Sequence, residues 1–144
     1  MKSTPLFIGA DHAGFSLKEQ VKVFLPNTVF IEDLSPVFTP GDDYPDVALK
    51  LAKKVAKHQG SRGILVCGSG VGVTIAANRI KGVRAFDAHS VEEVKLAREH
   101  NDANVISLSG WHEKPSQAKK LIQAFMEGKA SKEARHVRRV KKLG

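Results

Sequence analysis

Cys67 is the only thiol in the chain, and three closely spaced glycines follow it in "GILVCGSGVGVTIAANR", residues 63–79. A lone cysteine between an apolar run and a loop stripped of side chains admits two readings. It is a small buried hydrophobe that ends a strand, or it is chemistry presented at an anion-binding turn. Gly68, Gly70 and Gly72 let backbone approach a ligand closely, and a helix opening there offers N–H groups with no partner of their own. A thiol at such a terminus gives up its proton more readily. The G-x-G-x-G spacing is not that of a dinucleotide fold, and no Lys-Ser or Lys-Thr follows to make a P-loop. Asp11 and His12, in "GADHAG" near the start, add acid–base capacity.

These residues need a scaffold, and the rest of the chain alternates in a way that supplies one. Apolar runs of strand length fall at 6–8, 29–31, 64–67, 83–86 and 105–108. Helical periodicity lies between them: Leu17, Val21, Phe24 and Leu25 share a face, as do Val47, Leu51, Ala52, Val55 and Ala56, and then Ala118, Leu121, Ile122, Phe125 and Met126. Two helix starts carry the capping-box pattern, Ser16 with Glu19 and Ser90 with Glu93. Short unbroken strands alternating with amphipathic helices predict a five-stranded parallel sheet covered on both faces, a three-layer α/β sandwich. In such sheets ligands bind beyond the carboxyl ends of the strands, where strand order reverses. The first strand delivers Asp11 and His12 to that edge, and the third delivers Cys67 and Ser69. The loop "SPVFTPGDDYP", 35–45, is long enough to serve a site.

Composition excludes several classes. A chain of 144 residues with 42% hydrophobic and 26% charged residues is expected to form a single domain, 1–144, with its own core. The opening "MKSTPLFIGADHAG" turns polar too soon for a signal peptide, and no apolar stretch approaches a membrane span. One cysteine makes no internal disulfide, which suits a cytoplasmic setting. The net charge of +8 is concentrated in the segment 129–144, where seven Lys or Arg against one Glu leave +6 on an expected basic C-terminal helix. The remainder is nearly neutral, and no aromatics are interleaved with the tail charges, so neither nucleic acid nor membrane is an expected partner.

The motifs "ADHAGFSLK", "DDYPD", "GILVCGSGVGVTIAANR", "REHNDANVISL" and "ARHVRRV" occur in that order over nearly the whole chain. Together they resemble the type B ribose-5-phosphate isomerase family, with its allose- and galactose-6-phosphate relatives. The resemblance implies a Rossmann-like subunit, working as a dimer or a dimer of dimers. It implies interconversion of an aldose phosphate and a ketose phosphate through a cis-enediolate, without metal or cofactor. The substrate it points to first is ribose 5-phosphate, with a six-carbon sugar phosphate as the alternative. Carried over, Cys67 is the base that moves a proton between C1 and C2, and Ser69 assists at the hydroxyls. One branch of the family places a carboxylate base where Val73 stands here. The backbone from Gly68 through Gly70, Val71, Gly72 and Val73 lines the substrate, with the amides of Gly70 to Val73 facing the enediolate. Asp11 and His100 open the sugar ring, His12, Tyr44 and Asn101 contact the substrate, and Arg135 and Arg139 hold the phosphate.

Each residue has a plainer role open to it. Asp11 and His12 could cap or pack the turn after a strand, Tyr44 could anchor its loop, and "EHND" could simply end a helix. His58, His89 and His112 show no metal-ligand spacing and read as surface residues. A phosphate-binding module without catalysis would also use the glycine turn, while leaving Cys67, Asp11 and His100 idle. At one position the chain departs from the family: after "NVISLSG" many members carry a phosphate-binding arginine, and here Trp111 stands in its place. Finally, His100 and Asn101 follow a helix and precede a strand. That puts them at the amino edge of the sheet, roughly 15 Å from Cys67 at about 3.3 Å per residue, so a homodimer with shared sites is expected.

Overall fold

The computed structural model describes residues 4–144; the first three residues, where the stretch read against a signal peptide begins, lie outside the described residues. The elements run β1 (Leu6–Ala10), α1 (Phe15–Phe24), β2 (Ile31–Asp33), α2 (Tyr44–Lys57), β3 (Arg62–Cys67), α3 (Val71–Ala77), β4 (Ala85–Asp87), α4 (Val91–Asn101), β5 (Val105–Ser109), α5 (Pro115–Glu127) and α6 (Ala134–Leu143). The five strands form one all-parallel sheet in the order β2-β1-β3-β5-β4. This is the expected α/β sandwich, with the basic helix at its end.

Side-chain alternation explains why unbroken apolar strands suit this sheet. On β3, Ile64 and Val66 join one core with Leu17 and Val21 of α1, Val94 of α4 and Leu121, Ile122 and Phe125 of α5. Leu65 and Cys67 point the other way, into a second core with Leu51 and Val55 of α2 and Val73, Ala76 and Ala77 of α3. Both faces are covered, so both sets must be apolar.

The register fixes what lies at each edge. Ala10 pairs with Val66 on the neighbouring β1 and β3, and Cys67 pairs with Ser109 on β5. The segments after these residues therefore meet at the carboxyl edge. Their contact is close: a β-carbon at Gly14 would run into the Val66 carbonyl, and one at Gly110 would lie 2.5 Å from the Ala13 oxygen. The buried Lys18 secures the loop beyond β2. Its Nζ donates to Asp33 Oδ2 (2.9 Å) and to the Ser35 carbonyl (2.6 Å), and the Ser35 hydroxyl in turn accepts from the Ala10 N–H (2.9 Å).

At the amino edge, arginines tie helix ends to strand starts. Arg62 donates to the carbonyls of Phe125, Met126 and Gly128. Arg84 and Arg98 converge on Asp102, at 3.2 and 2.9 Å. Asp102 closes α4 with φ at 45°, a left-handed conformation that few non-glycine residues adopt.

Three expectations are corrected. β2 and β4 begin at Ile31 and Ala85, two residues later than the apolar runs suggested. The Ser16–Glu19 capping box does not form, because α1 begins after Gly14, whose carbonyl already accepts from the Lys18 N–H. Glu19 is drawn instead to Lys18 and Lys22. Ser90, by contrast, caps α4, its hydroxyl accepting from the Glu93 N–H at 3.1 Å. Among the described residues no helix is long and apolar enough to cross a membrane.

The two serines should separate cleanly in chemical denaturation. Ser90→Ala is expected to cost about 1 kcal/mol, the ordinary worth of a helix N-cap, while Ser16→Ala should leave the midpoint essentially unmoved.

Candidate active site

The glycine turn and the thiol are one hydrogen-bonded unit. The Gly70 N–H donates to Cys67 Sγ (3.2 Å), and the Val71 N–H donates to Ser69 Oγ (3.2 Å). Gly70 adopts φ of 82°, the left-handed conformation that lets the chain reverse from β3 into α3. The first four N–H groups of a helix have no carbonyl one turn back. Here two of the four, at Gly70 and Val71, are taken by sulfur and hydroxyl. Gly72 and Val73 remain, so the amides expected to face a bound anion narrow from four to two. Val73's side chain is buried in the core under α2, which accounts for an apolar residue at that position.

Cys67 is buried, as the plainer reading of a lone cysteine expects, and also sits within the turn. It is only 3% exposed and belongs to a core cluster, yet its sulfur is the acceptor of the turn. An N–H aimed at sulfur stabilises negative charge there once the proton leaves.

On the adjacent strand, Asp11 follows β1 and is buried. Its Oδ1 accepts from the Gly14 N–H (3.0 Å) and its own N–H reaches the Val66 carbonyl (3.2 Å). The capping role open to it is thus realised. Burial pushes its carboxyl above the ordinary aspartate range, against the opposing effects of the Gly14 N–H and His12. His12 is exposed, and Asp42 from the 35–43 loop holds it twice, at the backbone N–H (2.7 Å) and at Nδ1 (3.0 Å). That hydrogen bond raises the imidazole above its usual value and leaves Nε2 unengaged by Asp42. Tyr44, the first residue of α2, lays its ring on Gly72: a β-carbon there would sit 2.7 Å from Cε2 and Cζ.

His100 and Asn101 are not with these groups. They end α4 at the amino edge, where the Asn101 carbonyl accepts from Arg84 Nε (3.1 Å). The His100 ring stacks on His136 of α6, with centroids 4.4 Å apart and planes 10° from parallel. Helix α6 therefore carries Arg135 and Arg139 to the same edge, four residues apart and exposed. Arg138 is exposed as well, and Arg135 Nε donates to Glu133 (2.9 Å).

Three contributors escape a reading of the sequence. Asp42 lies inside the "DDYPD" motif, but nothing local says which histidine it holds. His136 lies inside "ARHVRRV", and its stack spans 36 positions. Asp87, at the end of β4, aims Oδ1 at Gly70, where a β-carbon would lie 2.5 Å away. Its other oxygen meets His89 Nε2 (3.1 Å), and burial raises its carboxyl. Among the described residues no group of three or more His, Cys, Asp or Glu side chains could hold a metal ion.

A doubly wound α/β protein with a thiol, a carboxyl and a glycine turn at its switch point belongs to the class that binds a small ligand beyond the carboxyl ends of its strands, with acid–base groups beside it. Comparison with known proteins makes this specific, and the chain belongs to the Ribose/Galactose Isomerase family, whose pattern matches residues 6–143. It is 42% identical to the probable ribose-5-phosphate isomerase B of Mycoplasma genitalium, over 96% of this chain and 92% of that protein. Identity to ribose-5-phosphate isomerase B of Mycobacterium tuberculosis is 37%, over 97% and 88%. The fold superposes on the crystal structure of the M. genitalium enzyme with bound ribulose 5-phosphate, with a TM-score of 0.91, 38% identity and coverage of 99% and 95%. The Thermotoga maritima enzyme gives a TM-score of 0.92 at 35% identity, covering 99% and 98%.

The Asp42 contact makes a testable claim about His12. Because Asp42 raises it, the imidazolium should persist to higher pH than in an unperturbed histidine, and its contribution to stability should fade as pH rises through that elevated value. In Asp42→Asn the His12 titration followed by NMR should move down, toward the ordinary range.

Proposed function

We propose that this chain interconverts ribose 5-phosphate and ribulose 5-phosphate, and that one domain, 1–144, carries the reaction. The observation that carries this reading is the Cys67 sulfur under the Gly70 N–H, on the strand beside the one that delivers Asp11. An aldose–ketose isomerisation needs a base able to take a proton from carbon, and donors for the oxygen that gains charge.

The furanose opens first. Asp11 and His100 between them take the proton from the C1 hydroxyl and supply one to the ring oxygen as the C1–O bond breaks. A carboxyl whose hold on a proton is strengthened by burial suits that exchange. Cys67 Sγ, as thiolate, then takes the proton from C2. The electron pair left behind forms the C1–C2 double bond, and the aldehyde oxygen becomes the negative oxygen of a cis-enediolate. The Gly72 and Val73 N–H groups face that oxygen; one such donor is typically worth ~10²–10³ in rate. Returning the proton from sulfur to C1, while Ser69 moves a proton from O2 to O1, gives the ketose with no net change in protons. His12, oriented by Asp42, and Tyr44, seated on Gly72, contact the substrate together with Asn101. The paired arginines 135 and 139 take the phosphate, in keeping with the bidentate preference of guanidinium for phosphate oxygens.

These roles require a second chain. His100, Asn101 and both arginines lie at the amino edge of the sheet that carries Cys67 at its carboxyl edge, about 15 Å away at 3.3 Å per residue. An isologous homodimer brings one chain's amino edge to the other's carboxyl edge and makes two equal sites. The rim near Cys67 is apolar and exposed at Tyr44, Val71 and Ile75, a surface suited to burial by another copy. A lone free thiol and the absence of any need for an external redox partner suit a cytoplasmic enzyme.

Turnover on a panel of five- and six-carbon aldose phosphates tests this reading, with ribose 5-phosphate expected to be the best substrate. Cys67→Ala should fold, retain sugar-phosphate binding and lose at least ~10³ of its rate, in line with loss of a catalytic proton-transfer group. Chelators should leave the parent unaffected. Full turnover in the alanine variant would refute the assignment, and binding by a parent that turns over nothing would favour the non-catalytic module.

A further inference from the structure

Trp111 has a position that the reaction as described does not use. Five hydrogen bonds fix its loop. The Trp111 N–H donates to the Gly68 carbonyl (3.1 Å) and the Gly110 N–H to the Cys67 carbonyl (2.8 Å). Ser109 Oγ donates to the same Gly68 carbonyl (2.6 Å) and accepts from the His112 N–H (3.1 Å). The Glu113 N–H closes the turn on the Ser109 carbonyl (2.9 Å). The loop is therefore stapled to the two residues that begin the glycine turn.

The indole lies on the turn itself. A β-carbon at Gly68 would fall within 2.7 Å of three atoms of its six-membered ring, so residue 68 must be glycine for the ring to lie there. Yet Trp111 remains 68% exposed. A large rigid aromatic group is thus fixed against the backbone between Cys67 and Ser69, with most of its surface open. It brings no positive charge, so it cannot pair with phosphate as a guanidinium would. What it offers is a flat apolar face, the complement of the carbon–hydrogen face of a sugar chain.

We propose, on the basis of the isomerase reading above, that Trp111 is a substrate-contacting residue. Its indole forms one wall of the sugar site, packs on the carbon chain of the substrate next to Cys67, and sets which sugar phosphates bind productively. The phosphate is then held by the arginines of α6 alone.

Trp111 is the only tryptophan in the chain, so its fluorescence reports on this wall directly. Titrating ribulose 5-phosphate into the assembled Cys67→Ala protein, which binds without turnover, should change the emission saturably. Inorganic phosphate at equal occupancy should not. In the otherwise unaltered enzyme, Trp111→Ala should raise KM for ribose 5-phosphate by about tenfold with a smaller effect on kcat, and Trp111→Phe should restore most of the loss. Emission indifferent to ribulose 5-phosphate at saturating concentration would overturn the proposal, as would an equal response to phosphate alone. Emission that changes only when copies associate would instead make Trp111 an interface residue and overturn it too. Failure of the isomerase reading would look different: no turnover in the parent on any aldose phosphate, whatever the indole reports.

Discussion

Parallel pairing of β1 with β3 is the constraint on which the rest depends. A parallel strand delivers whatever follows it to one edge of the sheet and receives whatever precedes it from the other. With Ala10 opposite Val66, Asp11 and the Cys67 turn must be neighbours, and Gly14 can pass the Val66 carbonyl only because it has no side chain. The same rule sends the end of α4, with His100, to the far edge. The chain therefore carries its two groups of proposed site residues at opposite edges of the sheet.

Each half is braced in its own way. At the carboxyl edge the bracing is by backbone: N–H groups meet sulfur and hydroxyl, and loop carbonyls meet the strap that carries Trp111. Asp11 is buried there and Asp87 partly so, and that burial makes them hold protons more strongly than exposed carboxylates do. At the amino edge the bracing is by arginine. Arg84 and Arg98 hold Asp102 in its left-handed turn, directly after His100 and Asn101, and the His136 ring supports His100 from α6. Rigid presentation of those two side chains is what a partner's site would need from them.

Much of this was legible from pattern, because the forces involved are local or periodic. The alternation of apolar runs and amphipathic stretches reflects a sheet covered on both faces, and the glycines after Cys67 reflect a turn that a side chain would block. The failures have an equally physical origin. Ser16 and Glu19 have the right spacing for a capping box, but the helix start is decided by the Asp11–Gly14 turn, and Glu19 is claimed by two lysines. The apolar run at 29–31 begins before its strand because Leu6, at the start of β1, pairs with Ile31. Asp42 with His12, His136 with His100, and Lys18 with Asp33 are contacts across long stretches of chain, for which short-range spacing carries no signal. Burial of Cys67 does not remove it from the turn, since a residue can be core on one side and hydrogen-bond acceptor on the other.

The central claim is that one site takes Cys67 from one chain and His100 from another. Co-refolding two inactive proteins, Cys67→Ala and His100→Ala, tests it most directly. In a mixed dimer one site carries both defects and the other carries neither, so mixing in equal amounts should restore about a quarter of the parent activity per chain, as random pairing of identical interfaces requires. If mixed dimers are verified by mass and no activity returns, His100 and Cys67 act within one chain, and the two-edge account is wrong.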